Sequence, residues 1–224
     1  MEFLVSCLVP TTKSRVPFWP MALECFERQD YPNKELVLIG GNCRPPYLPP
    51  DIKYLEAGEV SIGEKLNLGV KNSSANFFCK WDDDDWRSPK FLSQLISPLF
   101  QKPGTVSFVD SHLVLDLKDW ALYDMEYTIG GGTICFDRKA WETRNFPDLS
   151  FGEDQAFYFN RDQVARITPN PANYVLVRHG QNTWETWSDG KTVEQVAKEK
   201  GRLVPGGPES FFNKAELEFY QSLR

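Results

Sequence analysis

Apolar runs and polar turns alternate along the first hundred residues of the chain. Residues 3–9 and 35–39 are almost continuously apolar, which is typical of strands that are buried on both faces of a parallel sheet. Ser61-Ile62-Gly63-Glu64 is a capping-box pattern, and apolar residues recur behind it at helical spacing. This pattern predicts a helix from residue 62 to about residue 73.

Further elements complete an alternating order in this half of the chain. That order, β-α-β-β-α-β-α, predicts an α/β fold with a mostly parallel central sheet flanked by helices. Ligands bind beyond the carboxyl ends of the strands in such sheets, so the turns Thr11–Arg15 and Gly40–Asn42 are expected to line one edge. The further elements are a helix over 18–28, a short strand over 52–55, a strand over 76–81 and a helix that starts at Ser88-Pro89.

The second half of the chain has shorter elements and predicts a small antiparallel element. Three strand-like runs, Val106–Asp110, His112–Leu117 and Trp120–Met125, indicate a hairpin or meander. The remaining predicted elements are strands over 133–136, 164–168 and 174–177, short helices over 137–144 and 155–160, and two polar tail helices near 193–200 and 209–223.

Composition and charge narrow the class of protein. The 224 residues fit one α/β domain, and the net charge of −6 gives no overall attraction to nucleic acid or anionic membrane. The five cysteines have no CxxC spacing and four lie in apolar segments, which indicates buried free thiols in a reducing compartment. Because neither a signal-peptide pattern nor an apolar run of roughly 20 residues is present, we expect a soluble, cytoplasmic protein without a membrane span.

Four consecutive aspartates, Asp82–Asp85, follow the predicted strand over 76–81. Adjacent like charges repel and raise one another's pKa, so the run costs stability unless a cation or hydrogen-bond donors neutralise it. Side chains alternate in an extended segment, so Asp82 and Asp84 are expected on one side and Asp83 and Asp85 on the other. Carboxylates paired at a strand end suit a hard divalent cation, which in turn could hold a diphosphate.

Two other interpretations compete with this cation site. A calcium-binding loop needs glycine at its sixth position and glutamate at its twelfth, where this chain has Arg87 and Ser93, so that loop is excluded. A solvated surface run is the common alternative, but Trp81 and Trp86 bracket the aspartates with side chains that prefer burial. A functional cation site is therefore favoured.

Five short motifs occur in order between about residue 4 and about residue 183. They are Cys7-Leu8-Val9-Pro10-Thr11, Gln29-Asp30-Tyr31-Pro32-Asn33-Lys34-Glu35-Leu36-Val37, Ile62-Gly63-Glu64-Lys65-Leu66-Asn67, Lys80-Trp81-Asp82-Asp83-Asp84-Asp85-Trp86 with Pro89, and Gly152-Glu153-Asp154. As a set they resemble the family-two inverting glycosyltransferases, which have the nucleotide-sugar-binding GT-A fold. The resemblance implies one GT-A-like catalytic domain over 1–183, with a nucleotide-binding half over about 1–100, an acceptor-binding half over about 101–183, and a helical C-terminal extension over 184–224.

The resemblance implies that the aspartate run is the family's DxD-type motif. One aspartate would bind the nucleotide ribose and another the Mn²⁺ or Mg²⁺ that bridges the diphosphate. Asp84 and Asp85 are the first choices for the metal with Asp82 close behind, because a run of four leaves the register open; Asp82, Asp83 and Asp84 are the candidates for the donor. His179 follows the last predicted strand and resembles the metal-ligand histidine of many such enzymes, while a purely structural histidine is the alternative.

A second carboxylate site lies far along the chain. Gly152-Glu153-Asp154 resembles the family's xED motif, which implies Asp154 as the catalytic base, with Glu153 beside it. A base of this kind takes the proton of the acceptor hydroxyl as that oxygen attacks the anomeric carbon. The alternative is an acidic helix N-terminus, where the helix dipole favours Glu and Asp.

Turn residues and two cations complete the candidate donor site. Arg15 and Lys65 could offset diphosphate charge or simply be solvated, and the glycines at 130–132 could approach the sugar closely or form a plain turn. The family's acidic pair after the second strand is replaced here by Gly40 and Gly41, so UDP is not assumed as the nucleotide. The candidate donor contacts outside the aspartate run are Pro10, Thr11, Thr12, Arg15, Gly40, Asn42, Lys65, Gly131 and Gly132.

These inferences predict a metal-dependent inverting glycosyltransferase with a nucleotide-diphosphate sugar as donor. The acceptor would be a hydroxyl of a saccharide, a lipid-linked glycan, a protein or a hydroxylated nucleobase. One alternative of the same fold is a nucleotidyltransferase, although that class usually has a glycine-rich basic segment after the first strand, and Pro10–Arg15 has no glycine. The other alternative is a non-catalytic module that binds nucleotide sugars.

Overall fold

The computed structural model describes residues 3–125, 131–159, 161–167, 171–186 and 190–224. The predicted positions Gly130, Asn160 and Thr168 lie outside these ranges. The strands are β1 Val5–Pro10, β2 Lys34–Gly40, β3 Ile52–Glu56, β4 Phe77–Lys80, β5 Trp86–Arg87, β6 Val106–Val109, β7 His112–Asp116, β8 Ala121–Met125, β9 Cys135–Asp137, β10 Val164–Ile167, β11 Tyr174–Arg178 and β12 Arg202–Leu203. The α-helices are α1 Trp19–Glu27, α2 Ile62–Asn72, α3 Phe91–Ile96, α4 Arg138–Thr143, α5 Glu153–Tyr158, α6 Val193–Lys200 and α7 Lys214–Ser222.

The central sheet is mostly parallel, as predicted. Its strand order is β10-β6-β9-β4-β1-β2-β3, and only β9 runs antiparallel to its neighbours. The apolar side chains of β1 and β2 are buried on both faces, which is why these strands read as continuous apolar runs. Pro10 pairs with Ile39 and Leu8 with Lys80, so β1, β2 and β4 present their carboxyl ends at one edge.

A second, five-stranded sheet has the order β12-β8-β7-β11-β5. Of the predicted hairpin or meander, the hairpin is confirmed: β7 and β8 pair antiparallel, whereas β6 belongs to the central sheet, where it pairs with β9 and β10. All four residues of β6 are buried, and a central position in a large sheet supplies cover on both faces.

Helix ends agree with the capping signals where those signals are local. Ser61 accepts a hydrogen bond from the N–H of Glu64 (3.1 Å), which confirms the predicted start of α2. The helix expected from Ser88 begins later, at Phe91. The single tail helix expected over 209–223 is wrong, because Asn213 forms a new capping box with Glu216 and starts α7 separately.

The C-terminal segment packs into the same core as β1 and β11. Phe212 and Tyr220 are buried there, and the ring of Phe212 lies 5.9 Å from that of Trp86. Glu216 is only 3% exposed and accepts hydrogen bonds from Arg28 Nη1 and from Trp86 Nε1, both at 2.6 Å. This carboxylate therefore ties α7 to α1 and to the strand that follows the aspartates.

Glu216→Gln is expected to lower the free energy of unfolding by about 1–3 kcal/mol, because Arg28 loses its buried counter-charge and an amide replaces a double acceptor. Urea unfolding measures the change. The matched control is Glu218→Gln on the same helix, where the side chain is 66% exposed and pairs only with Lys214; its effect is expected within about 0.5 kcal/mol. Equal effects of the two substitutions would remove Glu216 as an anchor.

Two expectations from composition are resolved by the fold. All five cysteines are free and Cys7, Cys25, Cys79 and Cys135 are buried, as predicted. Of the helices in the described ranges, none combines the length and the apolar character that crossing a membrane requires.

Candidate functional site

The four aspartates form the connection between the two sheets. Lys80 ends β4 in the central sheet, Trp86 begins β5 in the other, and the chain turns at Asp83 and Asp84. The predicted alternation of side chains is therefore wrong. Asp83 and Asp84 together contact Arg15, whereas Asp82 and Asp85 both lie beside Gly132.

Asp82–Asp85 are called the acidic turn below. Arg15, from the turn after β1, is the cation on its outer side. Its Nε donates to Asp83 (3.0 Å) and its Nη2 to Asp84. Thr11 also donates to Asp83, at 2.6 Å. Burial raises the pKa of Asp83 to about 7 against the opposing charge of Arg15. Although burial acts in the same direction on Asp84, its hydrogen bond with His179 and the charge of Arg15 hold the pKa of Asp84 below its usual range.

The segment after β11 reaches the same carboxylate. His179 Nε2 lies 3.0 Å from Asp84 Oδ2, and Asn182 Nδ2 donates to that oxygen at 3.1 Å. The N–H of Gln181 donates to His179 Nδ1 (3.3 Å), so Nε2 carries the ring proton and donates it to Asp84. The structure thus brings His179 to the acidic turn, together with Asn182, to which the sequence assigned no role.

Asp85 points into the protein. Its Oδ2 accepts from the hydroxyl of Tyr174 and its Oδ1 from the N–H of Val177 (2.9 Å). Burial and the charges of Asp84 and Asp82 raise the pKa of Asp85 to about 8. Both of its oxygens are engaged with β11, so this carboxylate joins the acidic turn to the second sheet.

Arg87 binds the backbone of the acidic turn on its buried side. It is fully buried, and its Nη1 donates to the carbonyls of Asp82 (3.0 Å) and Asp85 (3.2 Å), while Nη2 donates to that of Gly132 (3.1 Å). Its guanidinium carbon lies 4.4 Å from the centroid of the Trp81 ring. Sequence reasoning used Arg87 only to exclude a calcium loop; the one available signal was a lone cation between tryptophan and a helix start.

Lys80 connects the acidic turn to the second carboxylate site. Its buried ammonium group lies 3.0 Å from Glu153, 3.5 Å from Asp154 and 3.5 Å from Asp82. Burial opposes the charge of Lys80, but the three carboxylates raise its pKa well above the ordinary value, so the group stays protonated. Sequence analysis quoted Lys80 within a motif without giving it a role, because Glu153 and Asp154 are more than seventy residues away.

Glu153 and Asp154 begin helix α5 but face different surroundings. Glu153 is buried against Lys80, and burial raises its pKa. The Asp154 side chain is 18% exposed, and its Oδ1 accepts from the N–H of Gln155 (2.6 Å). Gly152 has a φ of 73°, a left-handed conformation that favours glycine at this entry to the helix.

Gly131 and Gly132 approach both carboxylate sites. A Cβ at Gly131 would overlap Asp154 Oδ2, and a Cβ at Gly132 would overlap Asp82 Oδ2 and lie 2.6 Å from the Tyr174 hydroxyl. The backbone can pass between the two carboxylates only because neither residue has a side chain.

The turns after β1 and β2 lie along the same edge. Pro10 ends β1 and Thr12 is exposed; the carbonyl of Thr11 accepts from Lys65 Nζ (2.9 Å), and burial lowers the pKa of Lys65. A Cβ at Gly40 would lie 2.8 Å from Cys43 Sγ and 3.1 Å from Thr11, so a side chain here requires a shift. Asn42 has a φ of 53°, and its N–H donates to Glu56 at the end of β3 (2.9 Å).

The donor set partly fits a divalent cation. Within the described ranges no group of three or more His, Cys, Asp or Glu side chains converges as a metal ligand set. Asp84 Oδ2 and His179 Nε2 are nevertheless 3.0 Å apart, the spacing of two neighbouring ligands on an ion with bonds of about 2.1 Å. Such a pair suits an ion that takes its other ligands from phosphate oxygens and water, in the imidazole tautomer that carries its proton on Nδ1 and with Arg15 moved off Asp84.

Solved structures share this fold. Crystal structures of S. aureus TarS align with the chain: one with a TM-score of 0.56 at 17% identity, over 80% of this chain and 37% of that one, and residues 1–349 in complex with UDP-GlcNAc with 0.58 at 17%, over 81% and 60%. The same fragment in complex with UDP gives 0.53 at 15%, over 78% and 60%. No protein-family model and no curated protein sequence matches the chain. At these identities the likeness establishes the fold, and the chain spans less than two thirds of each TarS structure.

Proposed function

We propose that this chain is a glycosyltransferase that moves a sugar from a nucleotide-diphosphate sugar to an acceptor hydroxyl. The observation that carries the proposal is the position of Lys80, whose ammonium group contacts Asp82 of the acidic turn and Asp154 of a separate helix. Two carboxylate sites with different surroundings therefore share one edge of the sheet, where α/β proteins bind ligands. A transferase needs this division, with one site for the leaving group and another for the attacking hydroxyl.

The acidic turn is the donor side of the proposed site. Arg15 and Lys65 provide positive charge for a diphosphate, and Gly131 and Gly132 bring the backbone against Asp154 and Asp82, which the sugar would have to reach. Asp84 is the first choice for an Mn²⁺ or Mg²⁺ ligand and His179 the second. Such an ion, when bound, neutralises the charge that develops on the leaving nucleoside diphosphate.

Asp85 is left out of the proposed ligand set, because Tyr174 and Val177 take both of its oxygens. Asp82 and Asp83 remain candidates for contacts with the nucleotide or the sugar. TarS was crystallised with UDP-GlcNAc, which supports a UDP sugar as the donor.

Asp154 is the proposed base. Its Oδ2 faces the glycine turn, the side chain is partly open to solvent, and a carboxylate there can take the proton of an acceptor hydroxyl. Glu153, buried and paired with Lys80, positions that lysine rather than reaching the acceptor. A single base that activates the acceptor hydroxyl, without an enzyme nucleophile, gives one displacement, so inversion at the anomeric carbon is proposed.

Donor binding tests the proposal directly. We expect UDP-GlcNAc or another nucleotide sugar to raise the melting temperature with Mn²⁺ present, and EDTA to reverse most of the rise, because a ligand that binds only the folded state stabilises it by mass action. A donor present at about 100 times its Kd contributes about 2.7 kcal/mol. Asp84→Asn should lose the Mn²⁺-dependent part.

Turnover is followed in the same samples by ¹H NMR, which also reports the configuration of the product. A panel of nucleotide sugars that leaves the melting temperature unchanged, with and without Mn²⁺, would overturn the proposed function. A product with retained configuration would overturn the inverting mechanism alone.

A further inference from the structure

We propose that Arg15 is a resident cation that closes the acidic turn, and that a divalent metal binds Asp84 only as the Arg15 guanidinium leaves it. The inference rests on the proposed function in taking Asp84 as the metal ligand. It adds a coupling: metal and donor bind together, because the donor diphosphate offers Arg15 another anion.

The guanidinium of Arg15 is engaged through every nitrogen. Nε donates to Asp83 and Nη2 to Asp84, while Nη1 lies 3.2 Å from His179 Nε2 and donates to the carbonyl of Gln181 (3.0 Å). Hydrogen bonds of a guanidinium to ionised carboxylates are stronger than those between neutral groups, and Arg15 makes one to each of two carboxylates. In the absence of another cation, this contact neutralises the outer half of the acidic turn.

A metal ion and this guanidinium need the same atoms. Both proposed ligands, Asp84 Oδ2 and His179 Nε2, are the atoms that Arg15 contacts through Nη2 and Nη1. Two cations on one carboxylate oxygen repel strongly in a buried site, where water screens their charges little. The two occupancies are therefore alternatives.

Arg15 lies on a short turn and is not fully buried. It belongs to the 3₁₀ turn Lys13–Phe18, its side chain is 15% exposed, and its guanidinium carbon lies 5.0 Å from the centroid of the Phe18 ring. Arginine binds phosphate as readily as carboxylate, so a diphosphate arriving at this edge can receive the guanidinium. Each of metal and donor then strengthens the binding of the other by the same factor.

Mn²⁺ titration of the donor-free protein, followed by the EPR signal of the free ion, tests this coupling. Arg15→Met is expected to bind Mn²⁺ about tenfold or more tightly than the unchanged protein, within the usual range of coupling between two sites. Lys13→Met is the matched control, because it removes a positive charge from an exposed side chain of the same turn; it should bind Mn²⁺ like the unchanged protein. Asp84→Asn added to Arg15→Met should abolish the gain.

Stability gives a second readout, since Arg15→Met leaves Asp83 and Asp84 without their cation. The rise in melting temperature on adding Mn²⁺ should be much larger for Arg15→Met than for the unchanged protein. Arg15→Lys keeps one positive charge, so its rise should lie between the two. Adding UDP should increase the Mn²⁺ affinity of the unchanged protein. The increase for Arg15→Met should be much smaller. Equal Mn²⁺ affinities of Arg15→Met and the unchanged protein overturn the proposal, and so does a gain that survives Asp84→Asn.

The Mn²⁺ comparison uses no nucleotide, so its result is independent of the proposed function. If no nucleotide sugar binds while Arg15→Met still gains Mn²⁺ affinity, the glycosyltransferase assignment fails and the resident cation stands. If donors bind but Arg15→Met gains no Mn²⁺ affinity, the glycosyltransferase assignment stands and the resident cation fails.

Discussion

Asp154→Asn is expected to lower the rate of sugar transfer by about 10²–10⁴-fold while donor binding is retained. The amide is the same size as the carboxylate and still accepts from the N–H of Gln155, so helix α5 keeps its start. It cannot take a proton from a hydroxyl, however. Lys80 keeps its contacts with Glu153 and Asp82, so the acidic turn keeps its cation.

The rate is measured as release of UDP from UDP-GlcNAc or from whichever donor the thermal-shift panel identifies, and donor binding as the Mn²⁺-dependent rise in melting temperature. Asp148→Asn is the matched control: the same substitution at an exposed carboxylate of the preceding loop, expected to leave both quantities unchanged. A wild-type rate for Asp154→Asn would assign the base to another group, and Glu153→Gln would then be the next variant to measure.

Arg87→Met is expected to have the largest effect on stability, a loss of about 3–5 kcal/mol in the free energy of unfolding. The substitution leaves the carbonyls of Asp82, Asp85 and Gly132 without their donor in a buried site. It also removes a buried positive charge that opposes the rise in the pKa of Asp85. Replacing one partner of a buried charge network is costly, because the remaining charges stay buried without compensation.

Denaturant unfolding measures this loss, and Arg202→Met provides the matched control. Arg202 pairs with Asp124, but its side chain is 75% exposed, so its ion pair is screened and its removal should cost no more than about 1 kcal/mol. If Arg87→Met were no more destabilising than Arg202→Met, Arg87 would not be what holds the acidic turn in place. We also expect Arg87→Met to weaken donor binding at temperatures where the variant remains folded.

Local patterns in the sequence predicted elements whose physical cause is local. Ser61 caps its own helix through the N–H of Glu64, and the apolar run over 35–39 became the buried strand β2, Lys34–Gly40. The cap depends on residues three positions apart, and a strand that is buried on both faces shows as a continuous apolar run, so both are visible in the local sequence. The α/β fold followed from the order of such elements and is confirmed.

Local patterns failed where a distant part of the chain decides the conformation. An extended run would alternate its side chains, but β4 of the central sheet ends at Lys80 and β5 of the other sheet begins at Trp86, so the aspartates between them turn. Of the hairpin or meander predicted over 106–125, only the hairpin formed, because β6 pairs with β9 and β10 rather than with the next strand. Pairing of this kind depends on contacts across 28 to 58 residues, which no local pattern carries.

The sequence by itself determined that a run of four carboxylates stands at the carboxyl edge of a parallel sheet, since strand order and strand ends are readable from apolar runs and turns. Only the tertiary structure decided how those carboxylates differ. Asp83 and Asp84 face Arg15, Asp85 faces Tyr174, and Asp82 shares Lys80 with Asp154. The reason is physical: the pKa and the orientation of a buried carboxylate are set by the charges and donors around it, and here those come from segments up to 98 residues away.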